Sequence, residues 1–214
     1  VIYLKREDKN AQSRQKILEA ALREFSSNGY DTASLNTMCA ENDISKGVIY
    51  HYFKDKDEIY LLCVAECFEK LTSYMSDAVK GVAGSVEQRL RGYFDARLRF
   101  FAENPLYLGI FTNAALNAPN SLTGDIMEAR KAFDELNISV LTRLLESATL
   151  RKGVTVPAVV EDFRMYMDYF NLRFKAVLFE ADSPEQALSK HEERCHRQLG
   201  ILLYGVLGDK DEKR

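Results

Sequence analysis

Along most of the chain, apolar residues return every three or four positions with polar residues between them, the period of amphipathic helices. From Ser13 onward, Ile17, Leu18, Ala21, Leu22 and Phe25 line one face until Gly29 closes the run as a C-terminal cap. Residues 1–12 have no clear period and read as a solvated tail, or as an arm whose Lys5, Arg6 and Lys9 reach phosphate or the minor groove. A capped helix follows over Ser34–Glu41, carrying Leu35, Met38 and Cys39. After the turn at Asn42-Asp43-Ile44, Ser45 caps a short third helix with Ile49 and Phe53 on its inner face. Asp55 and Glu58 have capping-box spacing and open a long helix through Ile59, Leu62, Cys63, Leu71 and Tyr74 to Gly81. Further helices are announced by Ser85-x-x-Gln88, by Asn104-Pro105 and by the break at residues 117–120. A long helix over Thr123–Lys152 stops at Gly153, another opens at Pro157, and Ser183-Pro184-x-Gln186 opens the last, which runs to Gly208. The expectation is an all-α chain of about nine helices: a three-helix headpiece over residues 1–55 and a six-helix body over 56–214.

The third helix carries the most specific chemistry. With Ile49 and Phe53 turned inward, Lys46, Val48, Tyr50 and His51 face out. Lysine suits a phosphate and valine a thymine methyl, while tyrosine and histidine offer hydrogen bonds and ring surface. Gly47 permits close backbone approach. By itself the stretch is also compatible with a small amphipathic helix that has a basic rim. The preceding capped helix and tight turn give it the helix, turn and recognition-helix order.

Gly29-Tyr30, Ser34-Leu35, Ile44-Ser45-Lys46-Gly47 and Tyr50-His51-Tyr52-Phe53-x-x-Lys56 resemble the N-terminal signature of the tetracycline-repressor (TetR) family of bacterial transcription regulators. The resemblance covers about the first quarter of the chain. It implies double-stranded DNA as partner, with contacts from Ser34, Ser45, Lys46, Gly47, Val48, Tyr50 and His51. Lys56 matches a family position that reaches a phosphate, where helix N-terminal amides would assist it. One departure stands out: Asn42-Asp43 occupies the turn where the family has Ala-Gly. Asp43 is therefore expected in a left-handed conformation, and its carboxylate is unfavourable beside phosphate.

The whole chain, 214 residues and 46% hydrophobic, is long enough to bury a substantial core. Its formal net charge is −3, and the first 55 residues balance eight Lys or Arg against eight Asp or Glu. DNA binding would thus rest on placed contacts more than on a general positive field. Cys39, Cys63, Cys67 and Cys195 have no paired spacing, and no apolar run approaches the length of a bilayer span. The expectation is a reduced, cytoplasmic chain without membrane contact. Cys63 with Cys67, and His191 with Cys195, share helix faces at metal-ligand spacing, but packing explains both, and neither a metal nor a cofactor is expected. His51, His191 and His196 stand in no nucleophilic arrangement, and no glycine-rich phosphate loop is present, so catalysis is not expected. A helical adaptor using the headpiece for protein contact is the remaining alternative; a duplex-shift assay separates it from a regulator.

Two late helices have apolar stripes wide enough to meet a partner as well as their own core. Phe163 and Phe174 lie on one; Leu188, Cys195, Leu199, Leu202, Leu203 and Val206 lie on the other. They predict a homodimer seam, as the resemblance also implies. The family further implies a site in the body for a small-molecule effector, whose identity the residues do not give. Aromatic density there points to Tyr93, Phe101, Phe111, Phe133, Tyr166 and Phe170, with Arg97 and Asn113 as the polar groups. Arg97 suits a carboxylate or phosphate, or an internal acid such as Asp95 or Glu103. Together these readings describe a ligand-responsive repressor that binds a palindromic operator as a dimer and is released by a small molecule.

Overall fold

A computed structural model describes residues 2–81, 84–116, 118–178 and 183–207. Among them are nine α-helices: α1 (Ile2–Thr32), α2 (Leu35–Asn42), α3 (Lys46–Tyr52), α4 (Lys56–Ala78), α5 (Val86–Glu103), α6 (Pro105–Leu116), α7 (Thr123–Glu146), α8 (Val156–Leu178) and α9 (Pro184–Val206). Short 3-10 turns occupy Val79–Gly81 and Asn120–Leu122. The sole extended pairing among the described residues is an isolated bridge between Leu150 and Leu207. The expected end of the last helix, Gly208, and Asn117 lie outside the described residues.

Most helix boundaries sit where their caps put them. Ser85 and Gln88 form the full reciprocal box, Gln88 N to Ser85 Oγ at 3.3 Å and Ser85 N to Gln88 Oε1 at 2.9 Å. Ser183 Oγ accepts from Gln186 N at 3.2 Å. At α4, Asp55 Oδ1 caps Glu58 N at 2.9 Å, whereas the Glu58 carboxylate reaches one residue further back than the motif requires, to Lys54 N at 2.6 Å. Two expectations are corrected. Residues 2–12 are helical and continue α1, for they contain no Gly or Pro and are rich in Lys, Arg, Glu and Gln, which favour helix without an apolar stripe. The helix expected to reach Lys152 ends at Glu146, and the segment beyond it turns back to pair with the end of α9.

The chain divides into two compact units, 1–69 with 104–130, and 70–103 with 131–214. The expected boundary at 55/56 differs from this grouping because α6 packs along α1. The approach is close: a Cβ at Gly109 would lie 2.2 Å from Ser26 Oγ and 2.5 Å from the Ser26 carbonyl oxygen. One turn on, Asn113 Nδ2 donates to the Phe25 carbonyl at 3.2 Å. Asn113 therefore ties α6 to α1.

The core of this first unit is built from Ile17, Ala21 and Phe25 of α1, Met38 of α2, Ile49 of α3 and Ile59, Tyr60 and Cys63 of α4, all at most 1% exposed. Phe25, Tyr30 and Tyr60 form an aromatic cluster with centroids 5.0–6.4 Å apart. Tyr60 is fully buried and its hydroxyl has no hydrogen-bond partner among the described residues. Tyr60→Phe should therefore raise stability by about 1 kcal/mol, since it deletes an unsatisfied group and keeps the ring. Thermal unfolding reads it, and a fall in melting temperature would show that the hydroxyl is satisfied.

The second unit contains α5, α8, α9 and parts of α4 and α7, with α9 packed on both α5 and α8. Arg97, 6% exposed, lies 5.3 Å from the Phe94 ring centroid and 5.9 Å from that of Phe133. Tyr93 donates to Asn137, and Arg89 Nη1 to Ser147 Oγ at 3.1 Å. Arg151 closes the end of α9: its Nε donates to the Leu207 carbonyl at 3.0 Å, and its guanidinium lies 5.9 Å from the Tyr204 ring centroid. Within this unit no charged side chain other than Arg97 is buried among the described residues.

Candidate nucleic-acid interface

Three helices hold one short surface in place. Ser34 caps α2 through Asn36 N at 3.1 Å, and its own amide donates to the Glu24 carboxylate of α1 at 2.8 Å. Glu24, 8% exposed, thus fixes the start of α2 from below. Asp43 ends α2 with φ 52° and ψ 49°, the left-handed conformation expected of it, and is the sole non-glycine residue with positive φ among those described. Ile44, 8% exposed, plugs the turn. Ser45 then caps α3 with Oγ 3.3 Å from Val48 N.

The consequence is the outward face that the spacing predicts. Ile49 and Phe53 are 1% and 2% exposed, whereas Val48 is 39% and Tyr50 57% exposed. Ser45, Lys46, Gly47 and His51 are exposed as well, and Ser34 is half-buried. This ridge of lysine, glycine, valine, tyrosine and histidine is narrow enough for a major groove and offers charge, apolar surface and hydrogen bonds. Lys56, in the first turn of α4, lies with its ammonium 4.5 Å from the Tyr30 ring centroid and 3.5 Å from the Asp31 carbonyl oxygen. Tyr30 in turn donates its hydroxyl to Asp57. Burial, reinforced by that bond, pushes the Tyr30 hydroxyl up from 10.0 to about 12, so the ring stays neutral beneath the cation.

Several residues that position this surface escaped the sequence reading. Asn10 accepts from the Tyr52 hydroxyl at 3.0 Å, Arg14 lies 5.1 Å from the Phe53 ring centroid, and Arg23 donates to Asn42 at 2.7 Å. Each pairs with a residue at least 19 positions away, and no local spacing announces it. Tyr30 did have a signal, its place in the Gly-Tyr pair after α1.

Asp43→Gly should raise stability by up to about 1 kcal/mol by removing the left-handed penalty, less what glycine adds to the freedom of the unfolded chain. Asp43→Asn should leave stability unchanged, and both should tighten duplex binding, most at low salt. If both weaken binding, Asp43 makes a contact that holds α3.

The other expected sites are distributed as follows. Phe111 and Asn113 belong to the first unit; Tyr93, Arg97, Phe101 and Phe133 belong to the second and are buried. Tyr166 is half-buried, and the side chain of Phe170 lies outside the described residues. Of the expected seam, Phe163, Cys195, Leu199 and Leu203 are 8%, 1%, 4% and 2% exposed in the single chain, so they already serve its own core. Leu202 and Val206 are half-exposed, and the side chains of Phe174 and Leu188 lie outside the described residues. Among the described residues, the large apolar side chains these helices leave uncovered are Met165 (56%), Tyr169 (62%), Ile201 (60%) and Tyr204 (81%).

Cys63 and Cys67 are buried, and Cys67 Sγ lies 3.5 Å from the Tyr107 carbonyl oxygen. Cys195 Sγ lies 3.7 Å from His191 Nδ1, and no group of three potential metal ligands occurs among the described residues. Burial, then the Glu66 carboxylate, pushes the Cys63 thiol up from 9.0 to about 12. A thiol that keeps its proton when folded adds stability below pH 9.0, and that contribution is lost as pH rises toward about 12. Denaturant titrations across that range should show declining stability, and Cys63→Ala should make the decline shallower. No described helix is long and apolar enough to cross a membrane.

Residues 17–63 match the family profile of bacterial regulatory proteins, tetR family. The chain is 26% identical to the HTH-type transcriptional repressor KstR of Mycolicibacterium smegmatis over 58% of this chain and 61% of that protein. It is 34% identical to the HTH-type transcriptional repressor AcnR of Corynebacterium glutamicum over 33% of this chain and 37% of that one. These matches span less than two thirds of either relative. The fold is similar to the transcriptional regulator FadR of Bacillus subtilis, solved in complex with stearoyl-CoA, with TM-score 0.63 and 19% identity over 90% of this chain and 98% of that one. Through its capped helix-turn-helix headpiece, the chain is thus similar to the bacterial regulatory proteins of the tetR family over residues 17–63.

Proposed function

We propose that the protein is a ligand-responsive transcription regulator, a repressor that binds a palindromic operator as a homodimer in the cytoplasm and is released by a small molecule. The observation that carries this reading is the exposed face of α3, with Lys46, Val48, Tyr50 and His51 presented on a helix whose other face is locked into the core. Tyr50 and Val48 on this seven-residue helix are 57% and 39% exposed and so are available to a partner. The uncovered apolar residues of α8 and α9 support the dimer.

Two headpieces would have to lie about 34–36 Å apart to enter successive major grooves. A ligand that favours another tilt of the helix beginning at Lys56 changes that separation. It can do so only through its differential affinity for the two states, and a hundredfold release requires about 2.7 kcal/mol. The effector site is proposed among Tyr93, Arg97, Phe101 and Phe133. A long-chain acyl thioester is the first ligand to test, given the ligand carried by the structurally similar FadR.

Selection of duplexes from a random pool tests the function, followed by sedimentation of the complex. An enriched palindrome bound by two chains is the expected result, and failure to enrich any sequence would overturn the reading.

A further inference from the structure

The headpiece is neutral as a whole but sharply divided. Residues 1–16 carry five cations, Lys5, Arg6, Lys9, Arg14 and Lys16, against two acids, and so have a net charge of +3. Residues 17–55, which include both helices of the helix-turn-helix, carry three cations against six acids and have a net charge of −3. An acidic reading unit is poorly suited to approach a polyanion, whose attraction for proteins comes mainly from neutralised phosphates.

The basic segment is neither a separate tail nor remote from the reading helix. It is the N-terminal part of α1, continuous with the helix whose later turns form the core. Two of its residues, Asn10 and Arg14, are one turn apart and grip the last residues of the recognition helix: Tyr52 O–H donates to Asn10 Oδ1 at 3.0 Å, and the Arg14 guanidinium stands over the Phe53 ring. Lys9 and Lys16 are exposed, and Arg6 is one turn before Asn10 in the helix. The helix that carries Lys9, Arg14 and Lys16 is thereby held beside the end of α3.

We propose that residues 2–16 form a second DNA-contacting element, a basic helical extension clamped to the end of the recognition helix, which binds the phosphate backbone flanking the bases that α3 reads. The extension supplies charge that the helix-turn-helix lacks, and the Asn10–Tyr52 bond fixes the position of that charge relative to the groove. The inference rests on the DNA-binding reading and adds a surface to it. It lies upstream of residues 17–63, the stretch that matches the family profile.

The test uses the full chain with a duplex selected from a random pool, and a scrambled duplex of the same length. A variant with Lys5→Gln, Arg6→Gln and Lys9→Gln keeps helix-forming residues throughout, and its melting temperature checks the fold. Each cation that meets a phosphate contributes about 0.9 to the slope of log affinity against log salt, so the slope should fall by about two to three units on both duplexes. Affinity at low salt should fall on the order of tenfold or more, while the ratio between the two duplexes stays the same. Asn10→Ala and Tyr52→Phe should weaken binding to the selected duplex by equal factors, with no further loss when combined. If the parent chain binds and the triple variant matches it in affinity and slope, the extension is not a contact and this inference falls alone. If the parent chain binds no duplex, the DNA-binding reading falls and takes the inference with it.

Discussion

Replacing both Lys46 and Tyr50 with alanine should reduce affinity for a selected operator on the order of a hundredfold while the melting temperature stays where it was. Both side chains are exposed on α3, Tyr50 at 57%, and neither supports the core beneath. A well-placed groove contact contributes about 1–3 kcal/mol, so losing two removes about 2–6 kcal/mol, a range that includes the about 2.7 kcal/mol of a hundredfold. Lys46→Ala alone should also lower the salt slope by about one unit if its ammonium meets a phosphate. Ile49→Ala provides the contrast. Ile49 is 1% exposed, and its truncation should cost the fold about 2–5 kcal/mol, visible in melting before any DNA is added. Should the double variant bind as the parent does, α3 does not read DNA and the functional reading fails with it.

The second large effect separates two faces of α9 that look alike in sequence. Ile201→Asp with Tyr204→Asp should give a folded monomer that no longer binds a palindrome cooperatively. Those side chains are 60% and 81% exposed in the single chain, so charge on them costs the protomer little, whereas charge buried in a dimer seam costs several kcal/mol. Leu203→Asp should behave differently. At 2% exposure Leu203 is interior to the protomer, and an unpaired carboxylate there takes a large part of the roughly 5–15 kcal/mol that holds a domain together. The expected result is loss of the fold, with aggregation or expansion in sedimentation. Met165 and Tyr169, one turn apart on α8 and both more than half exposed, would extend the same interface. If the Ile201 and Tyr204 pair of substitutions leaves a dimer intact, its seam is on another face.

What could be read from the sequence and what could not divide along a physical line. The caps at Ser45, Ser85 and Ser183, the left-handed turn at Asp43 and the break in α1 at Gly29, where φ is 69°, were all legible. Each is settled by hydrogen bonds or backbone sterics within about four residues, and the residues that settle it are adjacent in the text. The outward face of α3 was legible for a related reason, because Ile49 and Phe53 are so apolar that only one orientation of a short helix buries both.

Tertiary structure decided everything that depends on which distant surfaces meet. Nothing near Asn113 says that it will bond the Phe25 carbonyl, and nothing near Arg14 says that it will cover Phe53. The stripe read on α9 did not mark its outer face: Leu199 and Leu203 of that stripe went inward, while Ile201 and Tyr204, which were not part of it, stayed outward, a choice made by α5 and α8. The sequence alone therefore determined most of the helices, their capped ends and the short reading surface, because these depend on local bonds and on a strongly one-sided apolar pattern; the start of α1 and the end of α7, which carry no such cap, it did not. The grouping of residues 104–130 with the headpiece, the clamp on the recognition helix and the exposed face of α9 awaited the fold, because burial is shared among many partners and favours whichever packing covers the most apolar area in total.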